Sequence, residues 1–191
     1  MENLLENIIE NEKLRESIIY ALKIFYENDY HSFFKDNDSK ITSVHEVAIS
    51  CKLGIYIFNS LKDNAFFEGK YKDFSVDMEY NKMNDKLDMK YLEGFEKTFG
   101  KTGNFRPDII IHKRGLGGSE NNLCVFEIKK GKLDKKDIYK LKNIINDGNF
   151  NYQYGIGLSE FNVDSVKISV FTNGSEKPIV VKIKVIGVYF S

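Results

Sequence analysis

Two acidic residues and a lysine stand beside strongly apolar stretches of this sequence. Asp108 precedes an isoleucine run at residues 109–111, and Glu127 is followed by Lys129 at the end of a second apolar stretch. Carboxylates are hard oxygen ligands of divalent cations such as Mg²⁺. A neighbouring lysine can stabilise negative charge on a phosphoryl group. These residue types therefore indicate metal-assisted chemistry on a phosphate ester.

The residues around these acids have the composition of buried β-strands. The strand segments are residues 106–114 and 121–130, and both contain runs of β-branched or large apolar side chains. Such runs are typical of central strands that are covered on both faces. Because side chains alternate along a strand, Glu127 and Lys129 share one face of the second strand.

An antiparallel hairpin would place Asp108 opposite Glu127. The midpoint of that register falls at Gly117 and Gly118, and glycine suits a tight connection between strands. We therefore predict a hairpin that brings the two acids and Lys129 together at one end of a sheet.

The pattern P-D at residues 107–108 and E-I-K at residues 127–129 resembles the PD-(D/E)xK phosphodiesterases, the restriction-endonuclease-like superfamily. The resemblance covers roughly residues 43–160. It implies an α/β fold with a restriction-endonuclease-like core, in which helices flank a mixed β-sheet. It also implies a metal-dependent nuclease, with DNA as the expected substrate. The structural alternative is a turn aspartate and a same-face ion pair, which contributes little to stability.

The resemblance assigns roles to individual residues. Asp108, Glu127 and the main-chain carbonyl of Ile128 would hold Mg²⁺, with Mn²⁺ as a substitute. Lys129 would orient the attacking water or stabilise charge on the phosphate. Many nucleases of this superfamily carry a further catalytic acid on the first core helix, and Glu46 matches that position by its order in the chain.

Two alternatives concern the third acid. Residues 43–46 also fit a capping box, S-x-x-E, in which Glu46 would bond back to Ser43 at the start of a helix. Glu79 is a second candidate, because it lies on a predicted half-buried strand at residues 74–81. That strand would pair with the strand of Asp108.

Basic residues flank the candidate site. Arg106 and Arg114 bracket the Asp108 strand, and the planar guanidinium suits bidentate contact with phosphate. Lys130 opens a lysine cluster that extends to Lys142. We predict that Arg106, Arg114 and Lys130 contact nucleic acid, although a solvated helix face would explain the lysine cluster equally well. A formal net charge of zero argues against sequence-independent coating of nucleic acid.

Apolar periodicity predicts the remaining elements of a single domain, residues 1–191. An N-terminal helical appendage occupies residues 1–40, with helices at 2–10 and 13–28, and the nuclease core occupies residues 41–191. The first core helix would begin at Ser43 and bury a stripe of Val47, Ala48, Cys51, Ile55, Phe58 and Leu61. After the site, a helix is predicted at 133–145 and strands at 152–158, 166–172 and 179–189.

Composition limits the class of protein. Charged residues make up 29% and hydrophobic residues 42% of the 191 residues, unlike a disordered or membrane-embedded chain. No apolar run approaches the roughly 18 residues of a spanning helix, and the acidic N-terminus is unlike a signal peptide. We expect a cytoplasmic protein without membrane association. Cys51 and Cys124 are expected to be reduced core residues.

Other catalytic signatures are missing from the sequence, including the P-loop, the zinc-protease helix and the serine-hydrolase elbow. The alternative to an enzyme is a catalytically inactive nuclease-fold protein that serves as a nucleic-acid-binding or assembly module. Because no recognition module is evident in a domain of this size, we expect either structure-selective cutting or recognition supplied by a second copy of the chain or by another protein.

Overall fold

A computed structural model describes residues 5–34, 45–79, 82–83, 88–89, 91–92, 94–100, 105–148 and 150–185. The helices are α1 (Glu12–Asn28), α2 (Tyr30–Phe33), α3 (Glu46–Asp63), α4 (Phe95–Phe99) and α5 (Lys135–Asn146), with a 3₁₀ turn at Gly69–Tyr71. The strands are β1 (Ser75–Met78), β2 (Lys82–Met83), β3 (Asp88–Met89), β4 (Ile109–His112), β5 (Asn122–Ile128), β6 (Tyr154–Asn162), β7 (Ser165–Thr172) and β8 (Ile179–Lys184). The predicted α/β class is confirmed.

The main sheet is mixed and has six strands in the order β1-β4-β5-β6-β7-β8, while β2 and β3 form a separate pair. Only the β5–β6 pair of this sheet is parallel. Parallel neighbours need a crossover connection, and α5 provides it. The predicted order of helix and three strands around the site is confirmed as α3, β1, β4 and β5, with β1 paired to β4.

The predicted register of the central hairpin is also confirmed. Ile109 pairs with Phe126 and Ile110 pairs with Val125, which continues to Asp108 opposite Glu127. A bulge after Ile111 shifts the pairing by one residue near the turn. Within the turn, Gly118 has a φ of 89°, a conformation that glycine adopts without a steric penalty.

The two faces of the sheet belong to two apolar clusters. Ile109, Phe126 and Ile128 face a cluster that contains residues of α1 and α3. Ile110 and Val125 face a second cluster that contains residues of α4 and α5. Every residue of β5 is buried, as predicted for a central strand. Alternation along the strands then places Asp108 and Glu127 on the α5 face.

The predicted buried face of α3 is wrong except at Leu61. The helix buries Ile49, Leu53, Ile57 and Leu61, while the predicted residues Val47, Ile55 and Phe58 are 45%, 46% and 42% exposed. Ala48 and Cys51 are half-buried, whereas Cys124 is buried as expected. The helix carries two apolar stripes, and small residues flank the one that is buried. A Cβ on Gly54 would lie 2.7 Å from the sulfur of Met78, so glycine leaves room for the Met78 side chain of β1 against this helix.

The N-terminal part of the chain joins the core. Helix α1 matches the predicted second helix, and its apolar face packs in the same cluster as α3 and the sheet. The predicted boundary between appendage and core, at residues 40–41, lies outside the described residues. Among the residues that the structure describes, no helix is long and apolar enough to cross a membrane.

Two glycines of β6 let α5 approach the sheet closely. A Cβ on Gly155 would lie 2.8 Å from the backbone carbonyl oxygen of Leu141 in α5. A Cβ on Gly157 would lie 3.2 Å from a methyl group of Leu141 and 2.3 Å from one of Leu133, which precedes the helix. Gly157 is also the partner of Glu127 in the parallel β5–β6 register. The two glycines therefore determine how closely α5 packs against the sheet beside Glu127.

We expect Gly155→Ala to destabilise the protein by about 1–3 kcal/mol, because the added methyl group meets backbone that cannot rotate away. Gly148→Ala is the matched control, since no heavy atom lies within 4 Å of a Cβ at that position. Urea unfolding of both variants and wild type measures the difference. Equal midpoints for the two variants would contradict the close-packing argument.

Candidate active site

Asp108 holds the end of the central hairpin together. Its N–H donates to the carbonyl of Phe126 at 3.1 Å, and its own carbonyl accepts from the N–H of Glu79, also at 3.1 Å. One carboxylate oxygen accepts from the N–H of Ile128 at 2.6 Å. The side chain of Asp108 thus extends the β4–β5 ladder by one further hydrogen bond.

The carbonyl of Ile128 points toward the strand of Asp108. The N–H of Lys129 donates to Leu158 on β6 at 2.9 Å. Because the C=O and the following N–H point in opposite directions across a trans peptide, the Ile128 carbonyl points away from β6. This direction agrees with its predicted place beside Asp108, and its role as a metal ligand stays a prediction.

Glu127 is almost completely buried, with 3% of its surface exposed. Its carboxylate oxygen Oε1 lies 3.4 Å from Nζ of Lys140, a residue of α5. Lys140 also approaches Asp137 at 4.0 Å. The sequence predicted neither Lys140 nor Asp137 as a site residue. The spacing of Asp137 and Lys140 indicates from the sequence that they share one face of a helix. Only the fold shows that this face lies against Glu127.

The two acids resist ionisation. Burial raises the pKa of Asp108 to about 6, against the lowering effect of the Ile128 N–H and of Lys129. Burial raises the pKa of Glu127 to about 8; Lys140 lowers this pKa, and the charges of Asp108 and Asp137 raise it. In the absence of a divalent cation, Glu127 therefore holds a proton at neutral pH. Loss of hydration is the largest cause of both raised pKa values, and the charge of Asp108 raises the pKa of Glu127 further.

Lys129 is held by Glu46. Its Nζ lies 3.0 Å from Oε2 of Glu46, whose other oxygen accepts from the N–H of Lys130 at 3.2 Å. Burial lowers the pKa of Lys129, but the hydrogen bond to Glu46 and the charges of Asp137, Glu46 and Asp108 raise it further, so the pKa lies above its usual value. Lys129 is therefore an ammonium group at neutral pH.

The capping box offered as the alternative for Glu46 needs Ser43. Helix α3 begins at Glu46 with His45 as its N-cap, and the His45 side chain makes no capping hydrogen bond. The carboxylate of Glu46 instead contacts the loop after β5, as described above. Ser43 lies outside the described residues. The fold thus brings Glu46 to the candidate site through Lys129, and its catalytic role stays a prediction.

A capping box that was not predicted fixes the start of α5. The side chain of Asp134 accepts from the N–H groups of Lys136 and Asp137, and Asp137 accepts from the N–H of Asp134 at 3.0 Å. The carboxylate of Asp137 is buried as a result, and burial raises its pKa. This motif anchors the first turn of the helix that carries Lys140.

Two of the three predicted nucleic-acid contacts lie near the site. Arg106 is exposed and pairs through Nε with Oε2 of Glu79 at 2.5 Å. Lys130 follows Lys129 directly, and its Nζ lies 5.8 Å from the ring centroid of Phe34. Contact of both residues with nucleic acid stays a prediction.

Arg114 lies at the other end of β4. Arg114 lies six positions after Asp108, and six positions of extended chain span about 20 Å. It forms a bidentate pair with Asp77, and His112 also contacts that carboxylate at 3.1 Å. Together with His112, Arg114 holds the pKa of Asp77 well below its usual value despite burial. Arg114 therefore fastens β1 to β4, and a contact of this residue with nucleic acid would be remote from Asp108.

Glu79, the other candidate third acid, stands next to Asp108. Its N–H bonds the Asp108 carbonyl, and its charge contributes to the raised pKa of Asp108. Its φ of 56° is unusual for a residue with a side chain and commonly marks local strain at functional sites. The pair with Arg106 directs its carboxylate along the edge of the site.

The donor set fits a magnesium ion that keeps much of its water. No group of three or more His, Cys, Asp or Glu residues that could hold a metal occurs in the described part of the chain. Two carboxylates and a carbonyl are nevertheless hard oxygen donors, and Mg²⁺ commonly binds one or two carboxylates and several waters. The raised pKa values of Asp108 and Glu127 indicate acidic groups that a cation would stabilise.

Comparisons with known proteins returned no match: no family model, no curated protein and no solved structure is significantly similar to this chain. The resemblance to the PD-(D/E)xK phosphodiesterases therefore rests on the sequence pattern at residues 107–108 and 127–129.

We expect the metal-free protein to lose stability as the pH rises from about 5 to 9. An acid whose native pKa exceeds its unfolded pKa binds more protons in the native state, so the free energy of unfolding falls as the pH rises between the two values. Each pKa unit corresponds to about 1.4 kcal/mol. For Glu127 the loss begins near its unfolded pKa of 4.5 and is complete above about pH 8.

Glu127→Gln should flatten this pH dependence and exceed wild type in stability at pH 9. Urea unfolding in chelator at several pH values provides the measurement. Glu176→Gln is the control, because Glu176 is fully exposed and has a lowered pKa, so it does not titrate in this range. An identical slope for wild type and Glu127→Gln would show that Glu127 ionises normally.

Proposed function

We propose that this protein is a metal-dependent nuclease that hydrolyses phosphodiester bonds, with DNA as its substrate. The observation that carries the proposal is the β4–β5 register, whose continuation beyond the pair of Ile109 and Phe126 brings Asp108 opposite Glu127, with Lys129 two residues further along. The arrangement of helix, mixed sheet and crossover helix also supports a restriction-endonuclease-like core.

Each residue has a distinct task in this proposal. Asp108, Glu127 and the Ile128 carbonyl would hold the divalent ion. When bound, the ion supplies charge neutralisation at the phosphate and lowers the pKa of the attacking water. Because Glu127 has a pKa of about 8, it must release a proton when the ion binds. Ion binding is therefore expected to strengthen as the pH rises.

Lys129 would stabilise the negative charge that develops on the phosphoryl oxygens. Its raised pKa keeps it cationic at neutral pH, so it acts as a hydrogen-bond donor and a charge rather than as a base. Glu46 acts as a positioning residue, since it holds the lysine side chain at 3.0 Å. Lys129 would also help to orient the attacking water.

Lys129→Ala should reduce cleavage at least 100-fold while leaving metal binding nearly intact, because a protonated lysine is not a ligand. The assay uses supercoiled plasmid, branched DNA and single-stranded DNA with Mg²⁺ or Mn²⁺. Lys182→Ala is the control, since Lys182 is exposed on β8. Cleavage by Lys129→Ala at the wild-type rate would show that the motif is assigned wrongly. Cleavage of no substrate by wild type would favour the non-catalytic binding or assembly module.

Mg²⁺ should stabilise wild type but have little effect on Asp108→Asn. Binding to the folded state alone adds about 1.4 kcal/mol at ten times Kd, or roughly 3–6 °C in melting temperature. Asparagine retains an oxygen for the Ile128 N–H and removes one negative charge. The variant should therefore melt at or above the wild-type temperature in chelator.

A purely structural Asp108 predicts the opposite pattern for that variant. Asp108→Asn would then melt below wild type in chelator, and Mg²⁺ would shift neither protein. Thermal melting of both proteins, with chelator and with Mg²⁺ up to tens of millimolar, separates the two cases.

A further inference from the structure

Lys140 places a cation against the most buried acid of the site. Its Nζ lies 3.4 Å from Glu127 and 4.0 Å from Asp137. The same ammonium group lies 5.6 Å from the centroid of the Phe105 ring. It therefore occupies a small space bounded by two carboxylates and an aromatic face.

The other lysine of the site is already engaged. Lys129 lies 3.0 Å from Glu46, a shorter contact than either contact of Lys140. When Glu127 is ionised, compensation of its negative charge therefore depends mainly on Lys140, whose effect on the pKa of Glu127 is the largest among the charged groups.

The contacts of Lys140 are loose. Close pairs of an ammonium and a carboxylate have distances of about 2.7–2.9 Å, and both distances here are longer. The side chain is 23% exposed, and lysine has a flexible four-carbon stem. Its ammonium group can therefore leave Glu127 for solvent without any change in the backbone.

We propose that Lys140 is an internal cation that competes with the divalent metal ion for Glu127. The inference rests on the proposed function, because it assumes that Asp108 and Glu127 hold the ion. An ion bound by these carboxylates would repel an ammonium group 3.4 Å from one of them. Metal binding then requires Lys140 to swing away, which weakens the affinity of the site for metal.

The test measures metal binding directly, without substrate. Mn²⁺ is titrated into wild type and Lys140→Met, and free Mn²⁺ is measured by its electron paramagnetic resonance signal. Methionine keeps most of the apolar stem and removes the charge. Lys140→Met should bind Mn²⁺ at least tenfold more tightly than wild type, while Lys140→Arg, which retains the charge, should stay close to wild type.

Lys136→Met is the matched control. Lys136 lies one turn earlier on α5, and its Nζ lies 6.0 Å from the ring centroid of Phe99 rather than beside Glu127. The same loss of charge there should change the Kd for Mn²⁺ by less than twofold. If Lys140→Met does not fold, as judged by thermal melting, Lys140→Gln replaces it.

The outcomes separate this inference from the proposed function. Equal or weaker Mn²⁺ binding by Lys140→Met than by wild type overturns the competition and leaves the metal site intact. Equal tightening by Lys136→Met also overturns it, because the effect would then be one of overall charge. If neither wild type nor Lys140→Met binds Mn²⁺ up to tens of millimolar, the proposed function and the competition both fail.

Discussion

The burial of Glu127 is the constraint on which the candidate site depends. A carboxylate with almost no access to water is costly to ionise unless a cation or hydrogen-bond donors replace the lost hydration. Here the only close cation is a lysine at a loose distance, within the part of the chain that the structure describes. The carboxylate of Glu127 can therefore bind a proton, pair with the ammonium group of the lysine, or hold a metal ion. A residue kept only for stability would gain more from an apolar side chain of similar size.

The backbone explains how such an unfavourable group is maintained. The β4–β5 ladder fixes the acids opposite one another, and strong apolar packing on both faces of β5 holds that ladder in place. Gly155 and Gly157 admit α5 to the sheet, and the capping box at Asp134 fixes the first turn of that helix. The energy that holds the charged groups together therefore comes from the core around them rather than from the ion pairs.

The sequence predicted the centre of the fold better than its periphery. The register of the hairpin followed from the two acids and the glycines midway between them, because the position and length of the turn fix the pairing of the strands that it joins. The buried face of α3 could not be inferred in the same way. That helix has two apolar stripes, and the choice between them depends on the small residue Gly54 and its contact with Met78 across the sheet edge. Lys140 was missed for a related reason, since its partner on β5 is distant in sequence.

The side chain of Asp108 has a structural role and a proposed catalytic role. Its carboxylate completes the hydrogen-bond ladder at Ile128 and is also one of the proposed metal ligands. A lineage that lost nuclease activity would still be under pressure to keep an oxygen acceptor at this position. The side chain of Lys129, by contrast, forms a partly exposed ion pair with Glu46, and such pairs contribute little to stability. Under the proposed function, replacement of the lysine rather than of the aspartate would therefore mark a related chain that has lost the activity.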